Sequence, residues 1–261
     1  MSGSWTLHLG DCLGDGGMGT LADRSVDHVI CDPPFEAEAH TLMRRVKRYA
    51  NGRAAEYDGR VAVLEPLPFP PLTEDERINS AVQMARVARR WILVFCQIEA
   101  SHRWIEAIRS AGATYRRTCL WVKPDGQPQL SGDRPGLGYE TIVVCHAPGS
   151  SRWNGGGGRG VFVCNKGEGG PHAPHPTTKP LALMERLVDL FTDPGETILD
   201  PFAGSGTTLV AAKRLGRSAI GWERDPKYHE IASRRIAETR EQPCLNLNRR
   251  RDQQLGLGGV K

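Results

Sequence analysis

The apolar positions of this chain change period along its length, and the changes mark out alternating strands and helices. Residues 26–31 form a short apolar run that ends at Asp32 and reads as a strand. Across residues 76–90, Ile78, Ala81, Val82, Ala85 and Ala88 recur at helical spacing, and Trp91–Cys96 follows as a buried strand. Ser101–Ser110 reads as a helix stopped at Gly112, and residues 115–123 and 140–146 read as strands. Pro180, Met184, Leu187, Val188 and Phe191 then share one helical face, with the proline in the first turn. Asp193-Pro194-Gly195 ends that helix. Residues 197–199 are a strand entering a glycine-rich turn, a helix runs to about residue 215, Ser218–Glu223 is a strand and Pro226–Glu238 the last helix. Such alternation predicts an α/β fold, a doubly wound sheet with helices on both faces.

Two segments break the alternation. Residues 36–73 are basic in their first half and proline-rich in their second, and residues 124–176 are crowded with glycine and proline. Loops of this length in a compact enzyme are usually functional or mobile. Residues 241–261 carry no periodicity and read as a polar, weakly ordered tail. The expected organisation is a single domain over residues 1–240, with 36–73 as an insertion.

Composition changes this picture little. The chain has 261 residues, 39% apolar and 25% charged, which suits one globular domain. Its apolar runs are far shorter than the roughly 20 residues of a membrane span, and the amino terminus lacks a secretory pattern. A cytoplasmic protein without membrane contact is expected. The seven cysteines stand singly and read as small buried hydrophobes in a reducing compartment. No metal is expected, because Cys164, His172 and His175 lack a fourth ligand at zinc-type spacing. Net charge is only +4, but Arg44, Arg45, Lys47, Arg48, Arg53 and Arg60 lie close together, as do Arg249 to Arg251. These runs fit either a solvated face or phosphate contact.

The most informative chemistry lies at the strand ends. A strand, the turn Asp200-Pro201-Phe202-Ala203-Gly204-Ser205-Gly206-Thr207-Thr208 and a helix place backbone amides beside a nucleotide-like ligand. Gly204 and Gly206 permit a tight turn, and Glu223 ends the next strand where it can accept hydrogen bonds from ribose hydroxyls. The dinucleotide fingerprint needs a third glycine, but Leu209 stands there. A nucleoside cofactor without phosphates fits better.

Four motifs carry a family resemblance. The 200–208 turn resembles the cofactor loop of the amino-group DNA methyltransferases, and His175-Pro-Thr-Thr-Lys-Pro-Leu resembles their companion His-Pro-x-x-Lys-Pro motif. Asp32-Pro33-Pro34-Phe35, directly after a strand, resembles their Asp-Pro-Pro-Tyr/Phe tetrad, and Gly10-Asp11-Cys12-Leu13 an element that often opens them. The resemblance implies a Rossmann-like S-adenosylmethionine-dependent methyltransferase fold with a mostly parallel seven-stranded sheet. It implies S-adenosylmethionine as cofactor, bound by Asp11, Thr177, Thr178, Lys179, Pro180, Asp200, Phe202, Gly204, Gly206, Thr207 and Glu223. Asp11 also reads simply as a turn cap. Trp121, Lys123, Tyr139 and Glu140 match family positions loosely and read as scaffold.

The tetrad's residue types suit its chemistry. An exocyclic amino nitrogen is a poor nucleophile because its lone pair is delocalised into the base. The Asp32 carboxylate and the Pro33 carbonyl can accept its two N–H bonds, Pro34 stiffens the loop, and Phe35 can stack on a base flipped from the duplex. Tetrad first and cofactor loop last resembles the permuted β class, in which residues 124–176 would read the DNA target. Within that class, Asp rather than Ser at position 32 implies N6-adenine, with N4-cytosine the alternative. An RNA methyltransferase and a non-catalytic DNA-binding module are more distant readings. Double-stranded DNA is the implied partner; the resemblance also suggests a homodimer and a restriction–modification setting, and leaves open whether a cognate restriction nuclease exists.

Overall fold

The computed structural model describes residues 3–36, 70–126, 135–166 and 178–241, with two short strands at 45–46 and 64–65. The elements, in chain order, are β1 (Trp5–Leu9), β2 (His28–Cys31), β3 (Arg45–Val46), β4 (Leu64–Glu65), α1 (Glu74–Val87), β5 (Trp91–Cys96), α2 (Ser101–Ser110), β6 (Thr114–Val122), β7 (Tyr139–His146), β8 (Val161–Val163), α3 (Leu181–Phe191), β9 (Thr197–Asp200), α4 (Thr207–Arg214), β10 (Ser218–Glu223) and α5 (Pro226–Glu238). Eight strands form one sheet in the order β1-β10-β9-β2-β5-β7-β6-β8, and β3 pairs with β4 apart from it. The pairs from β1 through β5 are parallel, β7 runs antiparallel to both β5 and β6, and β8 returns parallel to β6.

Among the described residues the sheet therefore has eight strands, not the expected seven. The pattern along residues 26–31, 91–96, 115–123, 140–146, 197–199 and 218–223 accounts for six of them. β1 alternates Trp5, Leu7 and Leu9 with Thr6 and His8, a period-two signal of a half-buried strand that the longer apolar runs overshadow. β8 is three residues long and leaves Val161 and Val163 exposed, too little periodicity to stand out among its glycines.

Alternation along the central strands divides the core. Ile30, Leu93 and Phe95 face α3, α4 and α5. Val29, Cys31, Ile92, Val94 and Cys96 face α1 and α2. With both faces covered, the central strands read as continuous apolar runs. The buried face of α1 differs from the expected one. Arg77, Ser80, Ala81, Met84 and Val87 point inward, whereas Ile78 and Val82 are 42% and 44% exposed. The helix also starts earlier than its apolar spacing suggests, because Thr73 and Glu76 form a reciprocal capping box.

Five of the six described cysteines are buried, and burial pushes the thiols of Cys12 and Cys96 up to about 12. No group of three His, Cys, Asp or Glu fit to hold a metal occurs among the described residues; His172 and His175 lie outside them. No described helix is long and apolar enough to cross a membrane. The basic cluster of residues 44–60 and the tail beyond 241 fall outside the described side chains.

Candidate active site

Parallel strands aim their carboxyl ends at one edge of the sheet, and this edge gathers the motifs. β9 lies between β10 and β2, so the residues that follow or end β2, β9 and β10 (Asp32, Asp200 and Glu223) stand side by side. Strand order reverses here: the chain moves from β2 to β5 on one side and from β9 to β10 on the other. Such a switch point opens a crevice in which α/β proteins bind ligands. Asp11 arrives beside it because β1 pairs with β10 and Gly10 N–H donates to the Glu223 carbonyl at 2.9 Å.

The cofactor loop is built tightly. Gly204 and Gly206 have φ values of +53° and +80°, and a Cβ on Gly206 would lie 2.9 Å from the Ala232 Cβ. Only glycine meets both demands at 206. The Glu223 carboxylate spans the loop, accepting from Gly204 N–H at 2.8 Å and Asp225 N–H at 2.7 Å. Asp200 is buried and accepts from Phe202 N–H at 3.0 Å. Burial pushes its carboxyl up to about 7; hydrogen bonds from Thr208 and Phe202 act against the rise, and the charges of Asp32 and Glu223 add to it. Arg235 from α5 supports the loop from behind, donating to the Ser205 carbonyl and, at 2.9 Å, to its hydroxyl. Thr207 opens α4, its hydroxyl 3.4 Å from the same guanidinium.

Asp11 takes the simpler of its two expected roles here, accepting from Leu13 N–H at 2.8 Å as a turn cap. Thr177 lies outside the described residues. Thr178 meets the cofactor loop through its hydroxyl, 3.2 Å from that of Ser205. Pro180 precedes the first residue of α3 as its N-cap rather than lying in its first turn.

Lys179 joins the companion motif to the tetrad. Its buried ammonium donates to Asp32 Oδ2, lies 3.3 Å from Glu140 Oε2, and sits over the rings of Phe35 at 5.6 Å and Phe95 at 5.2 Å. Burial works against a charged lysine, but the two carboxylates outweigh it and hold the ammonium above its ordinary pKa. Burial likewise pushes Asp32 up, against the pull of Lys179 and with help from Glu140. Asp32 Oδ1 is buried without a hydrogen-bond partner among the described residues. A buried, unsatisfied carboxylate oxygen is costly and marks a place for an incoming donor.

Sequence reasoning missed several residues that build this site. Glu36, directly after the tetrad, is buried and accepts from Arg77 at 2.7 Å and from Arg103. Leu72 N–H donates to the Phe35 carbonyl at 3.2 Å, so chain leaving the tetrad returns to its side. Lys123 and Glu140, read as scaffold, pair at 2.5 Å inside the site. Single charged residues look alike in sequence whether buried or solvated; only the loose family match at 123 and 140 pointed inward.

The chain is similar to known proteins. A family model described as DNA methylase, of the N6/N4 methyltransferases, matches residues 26–234. The type II methyltransferase M.HinfI of Haemophilus influenzae is 26% identical over 91% of this chain and 70% of its own length. The type II methyltransferase M2.DpnII of Streptococcus pneumoniae is 51% identical over 67 residues, 26% of this chain and 25% of the relative. Among solved structures, the cytosine-N4-specific PvuII DNA methyltransferase superimposes with a TM-score of 0.67 at 17% identity, covering 90% of this chain and 87% of that one. The M1.HpyAVI–SAM complex does so at 0.62 and 22% identity, covering 89% and 98%. These structures share the Rossmann-like methyltransferase fold. By its match over residues 26–234, most of the chain, this protein belongs to the N6/N4 DNA methylase family.

Proposed function

We propose that this DNA methylase transfers a methyl group from S-adenosylmethionine to the exocyclic N6 of adenine in a specific duplex sequence, directly and on a flipped base. The observation that carries this reading is the unpartnered, buried Asp32 Oδ1 beside Phe35, at the strand end next to the cofactor loop. Bound S-adenosylmethionine supplies an activated methyl group. The 200–208 loop, whose glycines allow close approach, would hold it, with Glu223 as ribose acceptor, Asp11 toward the adenine and Thr178 to Pro180 toward the methionine end. Each Glu223 oxygen already accepts one amide and keeps capacity for a second donor. A fold neighbour, M1.HpyAVI, is known as a complex with SAM.

Asp32 Oδ1 accepts one amino N–H and the Pro33 carbonyl the other, which aims the nitrogen lone pair at the methyl carbon. Phe35 stacks on the flipped base. As the new N–C bond forms and the methyl–sulfur bond breaks, its electron pair going to sulfur, the amino nitrogen sheds one proton, and Asp32, raised by burial, is placed to take it. No covalent intermediate on the protein is needed.

Adenine is favoured by Asp rather than Ser at position 32. N4-cytosine is the second reading, because the PvuII neighbour is cytosine-N4-specific. The type II relatives support a restriction–modification setting. Labelled methyl transferred to duplex DNA, followed by nucleoside digestion, tests the whole reading. N6-methyladenine is expected; label only in cytosine overturns the base, and label only in RNA overturns the substrate. Asp32→Ala should keep cofactor binding by calorimetry and lose transfer.

A further inference from the structure

Four buried or half-buried charges alternate in sign at the tetrad. Asp32 pairs with Lys179, Lys179 lies 3.3 Å from Glu140 Oε2, and Glu140 Oε1 accepts from Lys123 at 2.5 Å. The side chains of Lys179, Glu140 and Lys123 are all less than one-tenth exposed. They come from separate elements: Glu140 from β7, Lys123 from the end of β6 and Lys179 from the approach to α3. β6 and β7 are antiparallel neighbours with Trp121 opposite Glu140, so the ladder itself fixes the Lys123–Glu140 pair. Lys123 also sits 4.8 Å from the Trp121 ring centroid.

A lone lysine against Asp32 would be a poor arrangement for methyl transfer. The nitrogen gains positive charge as the bond forms, and an uncompensated ammonium nearby opposes that charge. A second carboxylate behind the lysine offsets it, and a second lysine keeps that carboxylate ionised. Burial opposes ionisation of Glu140, but Lys179 and Lys123 outweigh it and hold its carboxyl below the ordinary value.

We infer that Glu140 and Lys123 are positioning residues for methyl transfer: together they fix the Lys179 ammonium on Asp32 Oδ2, which leaves Oδ1 turned to the target amino group. The inference rests on the reading of Asp32 as the acceptor of that group. Among the described residues, the charged and titratable groups around Asp32 include Lys179, Glu140, Lys123, Asp200, Cys31 and Cys96. Among them Glu140 raises Asp32. Removing its charge lowers the pKa of Asp32, so the acid limb of turnover moves to lower pH.

Turnover, cofactor affinity and pH profile are measured on the full chain with duplex DNA for four variants. Glu140→Gln should lose about 100-fold in turnover, as expected of a reacting group misplaced by an ångström. Its S-adenosylmethionine affinity should hold, its acid limb should fall, and Glu140→Asp should recover part of the rate. The double variant Lys123→Met/Glu140→Gln removes the whole pair, leaving no lone buried charge from it, and should keep the loss. Recovery of turnover in the double variant would show that Glu140 serves only to neutralise Lys123, and would overturn the inference. So would unchanged turnover in Glu140→Gln, or a loss that tracks loss of folded protein. Asp32→Asn separates the two levels. If it is inactive while Glu140→Gln works normally, the inference fails alone; if it is fully active, the reading of the tetrad fails with it.

Discussion

Glu36 Oε1 accepts a 2.7 Å hydrogen bond from Arg77 Nη1, with both side chains only about one-twentieth exposed. Arg103 of α2 reaches the other carboxylate oxygen. One residue past the tetrad, the chain is thus pinned to α1 and α2 together. This explains why α1 turns an arginine inward and leaves Ile78 and Val82 outside. Removing one partner of a buried pair strands the other charge. Glu36→Ala should therefore cost about 3 kcal/mol of unfolding free energy in urea titration. The same variant should lose transfer more than cofactor affinity, since its anchor serves the tetrad and not the glycine loop.

The two loop glycines should differ in tolerance. Gly204→Ala meets nothing nearer than 4.0 Å and bears only the strain of its positive φ, about 1–2 kcal/mol. Gly206→Ala adds a clash with Ala232 on α5 and should displace the loop. Calorimetry with S-adenosylmethionine should show a mild loss for the first and a severe one for the second, with thermal melting in the same order.

Asp200 should make cofactor binding depend on pH. Its carboxyl, pushed up to about 7 by burial, is largely protonated in mildly acidic buffer. The folded state binds this proton more tightly than the unfolded chain, so the group favours folding at low pH and loses that contribution as pH rises through 7. A cofactor bearing a sulfonium favours the ionised carboxylate. Binding near pH 6.5 should release a proton, seen as a buffer-dependent calorimetric enthalpy, and Asp200→Asn should abolish the dependence.

Acid stability should be governed at the opposite end of the strands. Glu196 precedes β9 and meets His28 at 2.7 Å and Arg90. Burial pushes its carboxyl up, but hydrogen bonds from His28 and the Asp193 amide, with the charge of Arg90, hold it down to about 2. A depressed carboxyl contributes stability above its unfolded value of about 4.5, lost as pH falls toward 2. Denaturant midpoints in that window should drop less steeply for Glu196→Gln than for the native chain.

Much of this molecule is determined locally. Apolar periodicity sets the central strands and most helix faces, because burial on two sides of a parallel sheet demands it. The tetrad and the cofactor loop are legible for a related reason: proline and glycine are imposed by backbone geometry at strand ends, whatever packs around them. Charged residues carry no such signature. Whether Glu36, Lys123 or Glu140 is solvated or buried depends on which distant arginine or lysine the fold brings against it, across 41, 17 and 39 positions of sequence. β8, too short to show a period, exists only because β6 offers it an edge. The sequence alone determined the motifs at the strand ends and the strands that carry them. The tertiary structure decided how Asp32 is held, since pairing buried charges is a property of three-dimensional neighbours and not of residue order.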